Sequence, residues 1–264
     1  MKRVRFCIVI AMFLISIIVD PGFGKATFQG YWEQTTQSNS TIGGQPQNRS
    51  EQQTVYFKSG MMKIVNATKG EEIIFRLDLG LIWTINTKTK TYTEAKFSDM
   101  EENMKNARNA MAENMKNMTI EQRQMMEKMM GGQLGSMMGN EGGPSITFKM
   151  LSETKTINGH NCKKVIMMMN NEPMVTMWMT DKYDLGDDFV EAYQKMGLFK
   201  GTFSEDVKNL KGFPMQTEMS MDTGFGTVST NTVVTKIVEK SLANSDFNLP
   251  AGLTKQTMPQ MNFH

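Results

Sequence analysis

Short stretches rich in β-branched and aromatic residues alternate with turn signals along most of the chain, a pattern typical of successive β-strands. The predicted strands are 27–36, 54–58, 61–67, 72–78, 81–86, 91–97, 145–156, 162–170, 174–181, 213–222 and 227–239. Most of the turns between them hold only a few residues, whereas a parallel crossover needs a dozen or more. We therefore expect sequence neighbours to pair as antiparallel strands.

Alternation of side chains within two of these strands predicts which face is buried. In one strand the buried side is expected to carry Ile73, Phe75 and Leu77. The other side of that strand is expected to face water and carries Ile74, Arg76 and Asp78. In a second strand the apolar side is expected to carry Met215, Thr217, Met219 and Met221.

Two segments between the strands have a different character. The tract 37–53 contains almost no apolar residue, so it cannot bury a core and is predicted to be a mobile polar loop. The segment 98–142 has two capping-box patterns, Ser98 with Glu101 and Thr119 with Gln122, which predict helices near 99–117 and 120–130. One stripe of this pair, at helical spacing, is Met104, Met111, Met115, Met118 and Met125.

A further helix is predicted over 187–196, because acidic residues there occupy a first turn. Together these elements predict one α+β domain over 27–264, mainly antiparallel β. We expect a strongly bent sheet whose concave face is covered by helices, with the Met-rich helical pair as an insertion.

The N-terminus has the features of an export signal. Lys2, Arg3 and Arg5 precede an apolar run over 6–19, and small residues follow at 22, 24 and 26. The run is shorter than a comfortable bilayer span, so 1–26 is predicted to be a cleaved signal peptide rather than an anchor. The mature protein is then expected to be periplasmic or extracellular, with no stable membrane span.

Charge and composition exclude several classes of function. The 264 residues carry 29 Lys+Arg against 27 Asp+Glu, and loss of the basic N-terminus leaves the chain close to neutral. A nucleic-acid partner is not expected, because no basic field would hold a phosphate backbone. Two histidines and two cysteines argue against multi-histidine zinc sites and disulfide scaffolds, and no cofactor is predicted.

Cys162 is the one cysteine left after processing, and it follows the turn residues Asn158 and Gly159. A Cys–His dyad with His160 would need contact between the side chains and a third group to orient the imidazole. No such group is evident. A hairpin turn followed by a buried thiol is therefore the favoured interpretation.

The 28 methionines are the abnormal feature of the composition, and three interpretations of the helical stripe stay open. Flexible methionines fill irregular gaps in a core, and they also form deformable lids over apolar ligands. Thioethers also bind Cu(I), for which the candidate ligands are Met125, Met126, Met129 and Met130. The Met-x-Met pairs at 177–179 and 219–221 are ambiguous, because that spacing also equals one face of a strand.

Several stretches together resemble a family of secreted bacterial proteins known only as a domain of unknown function. They are 30–32 (GYW), 55–58 (VYFK), 85–93, 153–164 (ETKTINGHNCKK), 177–181 (MWMTD) and 247–253 (FNLPAGL). That family is similar to the outer-membrane lipoprotein carrier LolA and to lipoprotein-sorting proteins. The resemblance implies a half-open antiparallel barrel whose helix-covered apolar face holds acyl chains, although the carriers place their helices near the N-terminus.

The expectation is an exported, non-enzymatic protein that binds an apolar or lipid ligand. Its candidate cavity residues on strands are Phe75, Leu77, Met215, Met219 and Met221. The helical stripe would face them as a lid. The alternatives are a periplasmic Cu(I)-binding or oxidant-buffering protein, and a sensing module that binds an envelope protein. An enzyme is not expected, because nucleophile-elbow, P-loop, H-E-x-x-H and dinucleotide motifs are lacking.

Overall fold

A computed structural model describes residues 27–42, 45–116, 118–122, 145–185, 212–222 and 226–257. The strands are β1 (Gly30–Ile42), β2 (Gln45–Lys58), β3 (Met61–Asn66), β4 (Glu71–Arg76), β5 (Leu81–Asn86), β6 (Thr91–Lys96), β7 (Ile146–Ile157), β8 (His160–Met169), β9 (Glu172–Thr180), β10 (Phe213–Asp222), β11 (Gly226–Glu239) and β12 (Thr254–Lys255). A 20-residue helix, α1 (Phe97–Lys116), follows β6, and a short 3-10 helix spans Asn244–Phe247.

All of these strands belong to one sheet, in the order β12-β6-β5-β4-β3-β2-β1-β11-β10-β9-β8-β7. The first meander (β2–β6) and the second meander (β7–β11) meet at β1, which pairs with both β2 and β11. Every neighbouring pair is antiparallel except β12 with β6. The predicted antiparallel, strand-rich architecture is therefore confirmed. The short β12 is an element that the sequence pattern does not predict.

A ten-residue repeat organises the first meander. Strands β3 to β6 begin at residues 61, 71, 81 and 91, and four-residue loops separate them. Each loop ends in a residue with positive φ, namely Gly70, Gly80 or Lys90. The carbonyls of Gly70 and Gly80 accept hydrogen bonds from the amides of Thr87 (2.8 Å) and Phe97 (2.9 Å). This repeat fixes the register of the strands and the point at which α1 begins.

The prediction of a mobile loop over 37–53 is wrong. The first part of the tract belongs to β1, which runs to Ile42, and the later part belongs to β2, which starts at Gln45. The two strands pair continuously with each other. On its other side, β1 pairs with β11 as far as Gly226. Pairing on both sides of β1 gives hydrogen-bond partners to the backbone amides and carbonyls of the polar tract. The tract can therefore form strands without burying apolar side chains.

The expectation that Ile74 faces water is also wrong. A second core lies on that side of the sheet, and its buried members are Met61, Ile74, Trp83, Ile85, Leu242 and Phe247. The last two belong to the segment 242–253, which we call the C-terminal segment, and Leu249 and Leu253 pack there as well. Alternation in one strand cannot show that a distant segment covers its second face.

Hydrogen bonds hold the C-terminal segment in place. Lys58 Nζ donates to the carbonyl of Leu242 (3.0 Å), and Lys63 Nζ donates to that of Asp246 (2.8 Å). Arg76 Nη1 donates to Asn248 Oδ1 (3.0 Å). Beyond the segment, β12 pairs with β6 and closes that end of the sheet. The apolar and polar contacts together make the segment part of the first meander.

The helical predictions are tested only in part. The helix predicted at 99–117 is present as α1, and no described helix is both long and apolar enough to span a membrane. Thr119 and Gln122 form the reciprocal capping-box bonds, at 3.0 and 3.2 Å. The structure does not describe most of the predicted second helix, the helix predicted at 187–196 or the signal segment 1–26. Of Glu101, in the other capping box, it describes the backbone but not the side chain.

Candidate functional site

One side of the sheet, which we call the main face, carries a single apolar core that extends through both meanders. Alternation along the strands sends Trp32, Phe57, Phe75 and Met177 to this side. The core also reaches α1, because Phe97 is buried in it and Met100 packs against it. The main face is therefore the candidate surface for an apolar ligand.

Aromatic rings fill one end of the main face. Phe28 lies near the centre, with ring centroids 5.6–6.4 Å from those of its four neighbours, Trp32, Phe57, Tyr183 and Phe213. Trp32 and Phe213 meet edge to face at 5.1 Å, a favourable arrangement for aromatic pairs. The amide of Phe28 donates to the carbonyl of Asp184 (2.6 Å), which ties the residues before β1 to those that follow β9.

Methionines dominate the main face of the second meander. The buried ones, which we call the methionine wall, are Met167, Met169, Met174, Met177, Met179, Met215 and Met219. Met221 packs against them at the edge. Both Met-x-Met pairs therefore lie in one apolar surface. Because methionine is unbranched and polarizable, this wall can adjust its shape more easily than a β-branched core.

Polar side chains continue the main face beyond the apolar residues. This polar band consists of Gln34, Thr36, Gln53, Asn66 and Thr232. Thr217, which is also buried, lies instead between Met215 and Met219 on β10. Trp32 Nε1 donates to Gln34 Oε1 (2.7 Å), and Gln34 Nε2 donates to Gln53 Oε1 (3.1 Å). The hydroxyls of Thr36 and Thr232 lie 2.9 Å apart. The main face is thus amphipathic along β1 and β2, whereas on β10 it stays apolar as far as Met221.

The structure brings the strand-borne candidates together. Phe75, Met215 and Met219 are buried in the main core, and Leu77 and Met221 pack against it. Contact with a ligand stays a prediction for all five. The sequence analysis missed the polar band, although its signal was present: Gln34 and Gln53 continue the alternation that begins with Trp32 and Val55.

The predicted lid is described only in part. Met104, Met111 and Met115 are positions of α1, but their side chains lie outside the described part of the structure, and Met118 is half-buried. Met125 and the other proposed copper ligands, Met126, Met129 and Met130, also lie outside it. The lid and copper interpretations therefore stay predictions.

The Cys162 region has the predicted hairpin. Asn158 and Gly159 have φ values of 47° and 78°, as a two-residue hairpin turn requires, and Ile157 pairs with His160. The Cys162 thiol is buried, and it donates to the carbonyl of His160 (3.4 Å) rather than to its imidazole. Burial raises the pKa of this thiol. A nucleophilic dyad is not supported, because the thiol donates to a carbonyl oxygen and its burial disfavours the thiolate.

His160 is held among aromatic and basic groups. Its ring centroid lies 5.6 Å from that of Tyr183. Partial burial, and then the charge of Lys182, lower the pKa of the imidazole. Within the described ranges, no group of three or more His, Cys, Asp or Glu side chains could hold a metal ion. The ring contact with Tyr183 is thus the interaction that the structure shows for the His160 imidazole.

Lysines cover aromatic rings on the opposite side of the sheet. Lys155 Nζ lies 5.2 Å and Lys164 Nζ 5.8 Å from the ring centroid of Trp178, and Lys155 also donates to Gln216 Oε1 (2.7 Å). A second such cluster pairs the rings of Tyr31 and Tyr56 at 5.7 Å. These clusters join residues from several strands, so sequence spacing does not reveal them. The lysine–aromatic clusters give the side opposite the main face polar contacts that the methionine wall lacks.

Comparison with known proteins gives a family match for part of the chain. Residues 138–253 match DUF4412, a domain of unknown function. This match confirms the predicted resemblance to a domain of unknown function. The DUF4412 match covers β7 to β11 and the C-terminal segment, so the first meander lies outside it. A search of curated proteins found no match.

The solved structures that match this chain have low sequence identity to it. An uncharacterized conserved protein from Thermus thermophilus is 6% identical, with a TM-score of 0.42, over 86% of this chain and 91% of that chain. A putative outer membrane lipoprotein-sorting protein domain from Vibrio parahaemolyticus is 10% identical, with a TM-score of 0.29, over 87% and 91%. A DUF1329 family protein from Desulfovibrio piger ATCC 29098 is 10% identical, with a TM-score of 0.30, over 85% and 91%. At these scores the function has to be argued from the chain's own residues.

Proposed function

We propose that this chain is an exported, non-enzymatic protein that binds an apolar or lipid ligand on the main face of its sheet, under a lid formed by the Met-rich helices. The observation that carries the proposal is the methionine wall. It places flexible apolar side chains from β8, β9 and β10 side by side, next to a rigid aromatic end. Such a surface can repack around acyl chains of different shape.

The energetics of a chain-binding site are favourable without any catalytic group. Each methylene that leaves water contributes about 0.8 kcal/mol, so even a medium-length acyl chain supports useful affinity. The contact of Met100 with the main core supports the position of the lid, because it places the start of α1 against the same surface. The Met104, Met111 and Met115 positions follow on the same helix.

Native mass spectrometry tests the proposal directly. The chain is expressed with residues 1–26 so that the cell exports it, and it is purified gently. The expected result is an adduct that dissociates as a lipid. A triple variant, Met104→Gln, Met111→Gln and Met115→Gln, should lose the adduct. Met150→Gln is the matched control, because Met150 is 63% exposed and lies on the edge strand β7.

The same experiment separates the alternative functions. A mass increment of one or more copper ions would favour a Cu(I) site, and the clustering of thioethers in the methionine wall is the observation that keeps this candidate open. In that case Cu(I) should also protect methionines from peroxide. A bare protein mass would argue against both ligands and in favour of a module that binds an envelope protein.

A further inference from the structure

Uncharged polar side chains of β1, β2 and β11 lie together on the side of the sheet opposite to the main face. Gln34 and Thr36 face the main core, so alternation along β1 sends the residues that follow each of them to the other side. We call this set the uncharged platform, and its members are Gln37 and Asn39 of β1, Ser50 and Asn48 of β2, and Asn231 and Ser229 of β11. Strand pairing arranges them in two straight rows, Ser50–Gln37–Asn231 and Asn48–Asn39–Ser229.

The platform is exposed and yet fixed in position. The side chains on β1 and β2 are all exposed, and those on β11 are half-buried. Throughout this stretch β1 pairs with β2 on one side and with β11 on the other. The backbone is therefore ordered before any ligand arrives, and binding does not have to order it.

Most hydrogen-bonding groups of the platform are unused by the protein. In the part of the chain that the structure describes, Asn231 alone among these side chains has a protein partner. Its Oδ1 accepts from Gln216 Nε2 (3.0 Å), which also donates to Glu218 at the border on β10 (2.6 Å). Amides and hydroxyls offer both donors and acceptors. The platform thus presents a regular array of both, spaced about 4.8 Å across the strands and about 7 Å along them.

The surface is longer than it is wide. Thr35 pairs with Gln52 beyond one row, and Thr41 pairs with Thr227 beyond the other, so uncharged polar side chains continue in both directions. From Thr35 to Thr41 the strand covers about 20 Å, whereas the distance from β2 to β11 is only about 10 Å. These proportions fit a linear polymer better than a compact ligand.

The platform and its continuations carry no charge. Charged residues make up 21% of the chain, but alternation brings none of them to this side over 35–41, 46–52 or 227–233. Beyond one end of this stretch, Glu33 and Lys236 neutralise each other in an ion pair (3.0 Å). A ligand on the platform therefore meets hydrogen-bonding groups rather than a charged field.

This lack of charge restricts the chemistry of the partner. Nucleic acids and anionic membranes are held by clustered cations, which the platform lacks. Protein interfaces are anchored by aromatic, arginine or large apolar side chains, which it also lacks. A neutral ligand with many hydroxyl groups is complementary, because a hydroxyl both donates and accepts, as the platform side chains do.

We propose that the uncharged platform binds a neutral polysaccharide along the direction of the strands. Several sugar rings would lie over the two rows and their continuations, with hydrogen bonds to the asparagine, glutamine and serine side chains. This inference goes beyond the proposed function and does not depend on it, because the methionine wall lies on the other side of the sheet. Binding here would hold the exported protein at a glycan surface and leave the main face available.

Affinity electrophoresis of the exported chain in native gels tests the proposal with polymers that differ in charge. Glycol chitin and hydroxyethyl cellulose are neutral, glycol chitosan is cationic and carboxymethyl cellulose is anionic. At least one neutral polymer should retard the protein. The retardation should persist at high salt, because salt screens charges and not bonds between uncharged groups.

Two neighbouring residue pairs of β1 and β2 supply a variant and its matched control. Asn39 faces Asn48 on the platform, and the next pair, Ser40 with Gln47, lies on the other side of the same strands. The double variant Asn39→Ala, Asn48→Ala should bind the neutral polymer about tenfold more weakly, because two amide groups are lost. The double variant Ser40→Ala, Gln47→Ala should bind as the wild type does. Equal thermal unfolding curves would show that both variants keep the fold.

The outcomes are distinct from those of the proposed function. Weaker binding confined to the Asn39→Ala, Asn48→Ala variant supports the platform. The inference is overturned if neither neutral polymer retards the wild type, or if both double variants lose binding equally. Retardation only by a charged polymer, abolished by salt, also overturns it and assigns the contact to surface charges. The lipid adduct in native mass spectrometry is expected in each of these cases, so either proposal can fail alone.

Discussion

The two meanders are built in the same way but bury different side chains. In the first, β-branched and aromatic residues such as Ile74, Phe75 and Ile82 are buried on both sides of the sheet. In the second, methionines fill the main face, and the other side carries Trp178 under two lysines. Stiff side chains specify one packing, whereas methionines permit several. The difference assigns the structural role to the first meander and the adaptable surface to the second.

The C-terminal segment accounts for part of this difference. It adds a second core to the first meander, and its Phe247 is fully buried. The second meander has no comparable apolar layer on that side among the described residues. The buried apolar contacts that the structure describes for the second meander lie on the main face, with the methionine wall as their largest part.

Removal of the Phe247 ring should have the largest effect. Phe247→Ala leaves a cavity between the C-terminal segment and β3–β5, which should lower the free energy of unfolding by about 3–5 kcal/mol. Urea denaturation measures the change. Leu79→Ala, at a side chain that is 53% exposed, is the control and should change little. A small effect of Phe247→Ala would mean that the segment is not part of the folded core.

Alanine substitutions at matched buried positions on the main face should differ in their cost between the two meanders. This difference should be smaller than the effect of Phe247→Ala. Ile82→Ala and Met177→Ala each remove a buried side chain. Each substitution should lower the free energy of unfolding by about 2–5 kcal/mol. Met177→Ala should fall near the lower end of this range, because neighbouring methionines can move into the space. Met177→Leu should cost less than about 1.5 kcal/mol.

Urea midpoints of the three variants compare these costs. If Met177→Ala costs more than Ile82→Ala, the methionine wall is as rigid as the first meander. The argument for an adaptable face would then lose its physical basis.

The strands were predictable because their signals are local. The bounds of β5 and β10 agree with the prediction to the residue, since alternation and turn residues lie within a few positions. The pairing of 37–53 and the burial of Ile74 depend on β11 and on the C-terminal segment, which are distant in sequence. Propensity and alternation carry no information about such partners.

The candidate site was predictable to a similar extent. Met219 and Phe75 were assigned to the correct side of their strands from period alone. The chain of hydrogen bonds from Trp32 through Gln34 ends at Gln53, which belongs to the tract 37–53 that was predicted to be a loop. An error in one element therefore concealed the polar half of the face.

Exposed and buried methionines should differ in their rate of oxidation, and the oxidation of exposed methionines should change the structure little. Under mild peroxide Met150 should become the sulfoxide many times faster than Met177 or Met62, because both of these are fully buried. Peptide mass spectrometry measures each site. If Met177 reacts as fast as Met150 while Met62 stays reduced, the second meander opens in solution, and the contrast between the meanders is greater than the static structure indicates.

The smallest expected effect concerns the edge of the first meander. Glu94 accepts from Lys255 Nζ (2.7 Å) and from Trp83 Nε1 (2.9 Å), and these bonds, that of Lys255 first, lower the pKa of the carboxyl group. A lowered pKa in the native state means that the stabilisation is present above the pKa of the unfolded state and is lost as the pH falls through the native value. Glu94→Gln should therefore destabilise the protein at pH 7 and have little effect at an acid pH below the native pKa of this carboxyl group.

Thermal unfolding of Glu94→Gln at both pH values measures this, with Glu71→Gln, an exposed carboxylate at the start of β4, as the control. The amide oxygen that the Glu94→Gln variant carries would still accept the Trp83 bond, so the difference isolates the charge that pairs with Lys255 on β12. An equal loss at both pH values would assign the effect to packing rather than to charge. No loss at either would mean that β12 stays on β6 through its backbone bonds, from the Thr254 amide to the Lys90 carbonyl (3.0 Å) and from the Gln256 amide to the Tyr92 carbonyl (2.7 Å). The first meander would then owe its closed edge to backbone pairing alone.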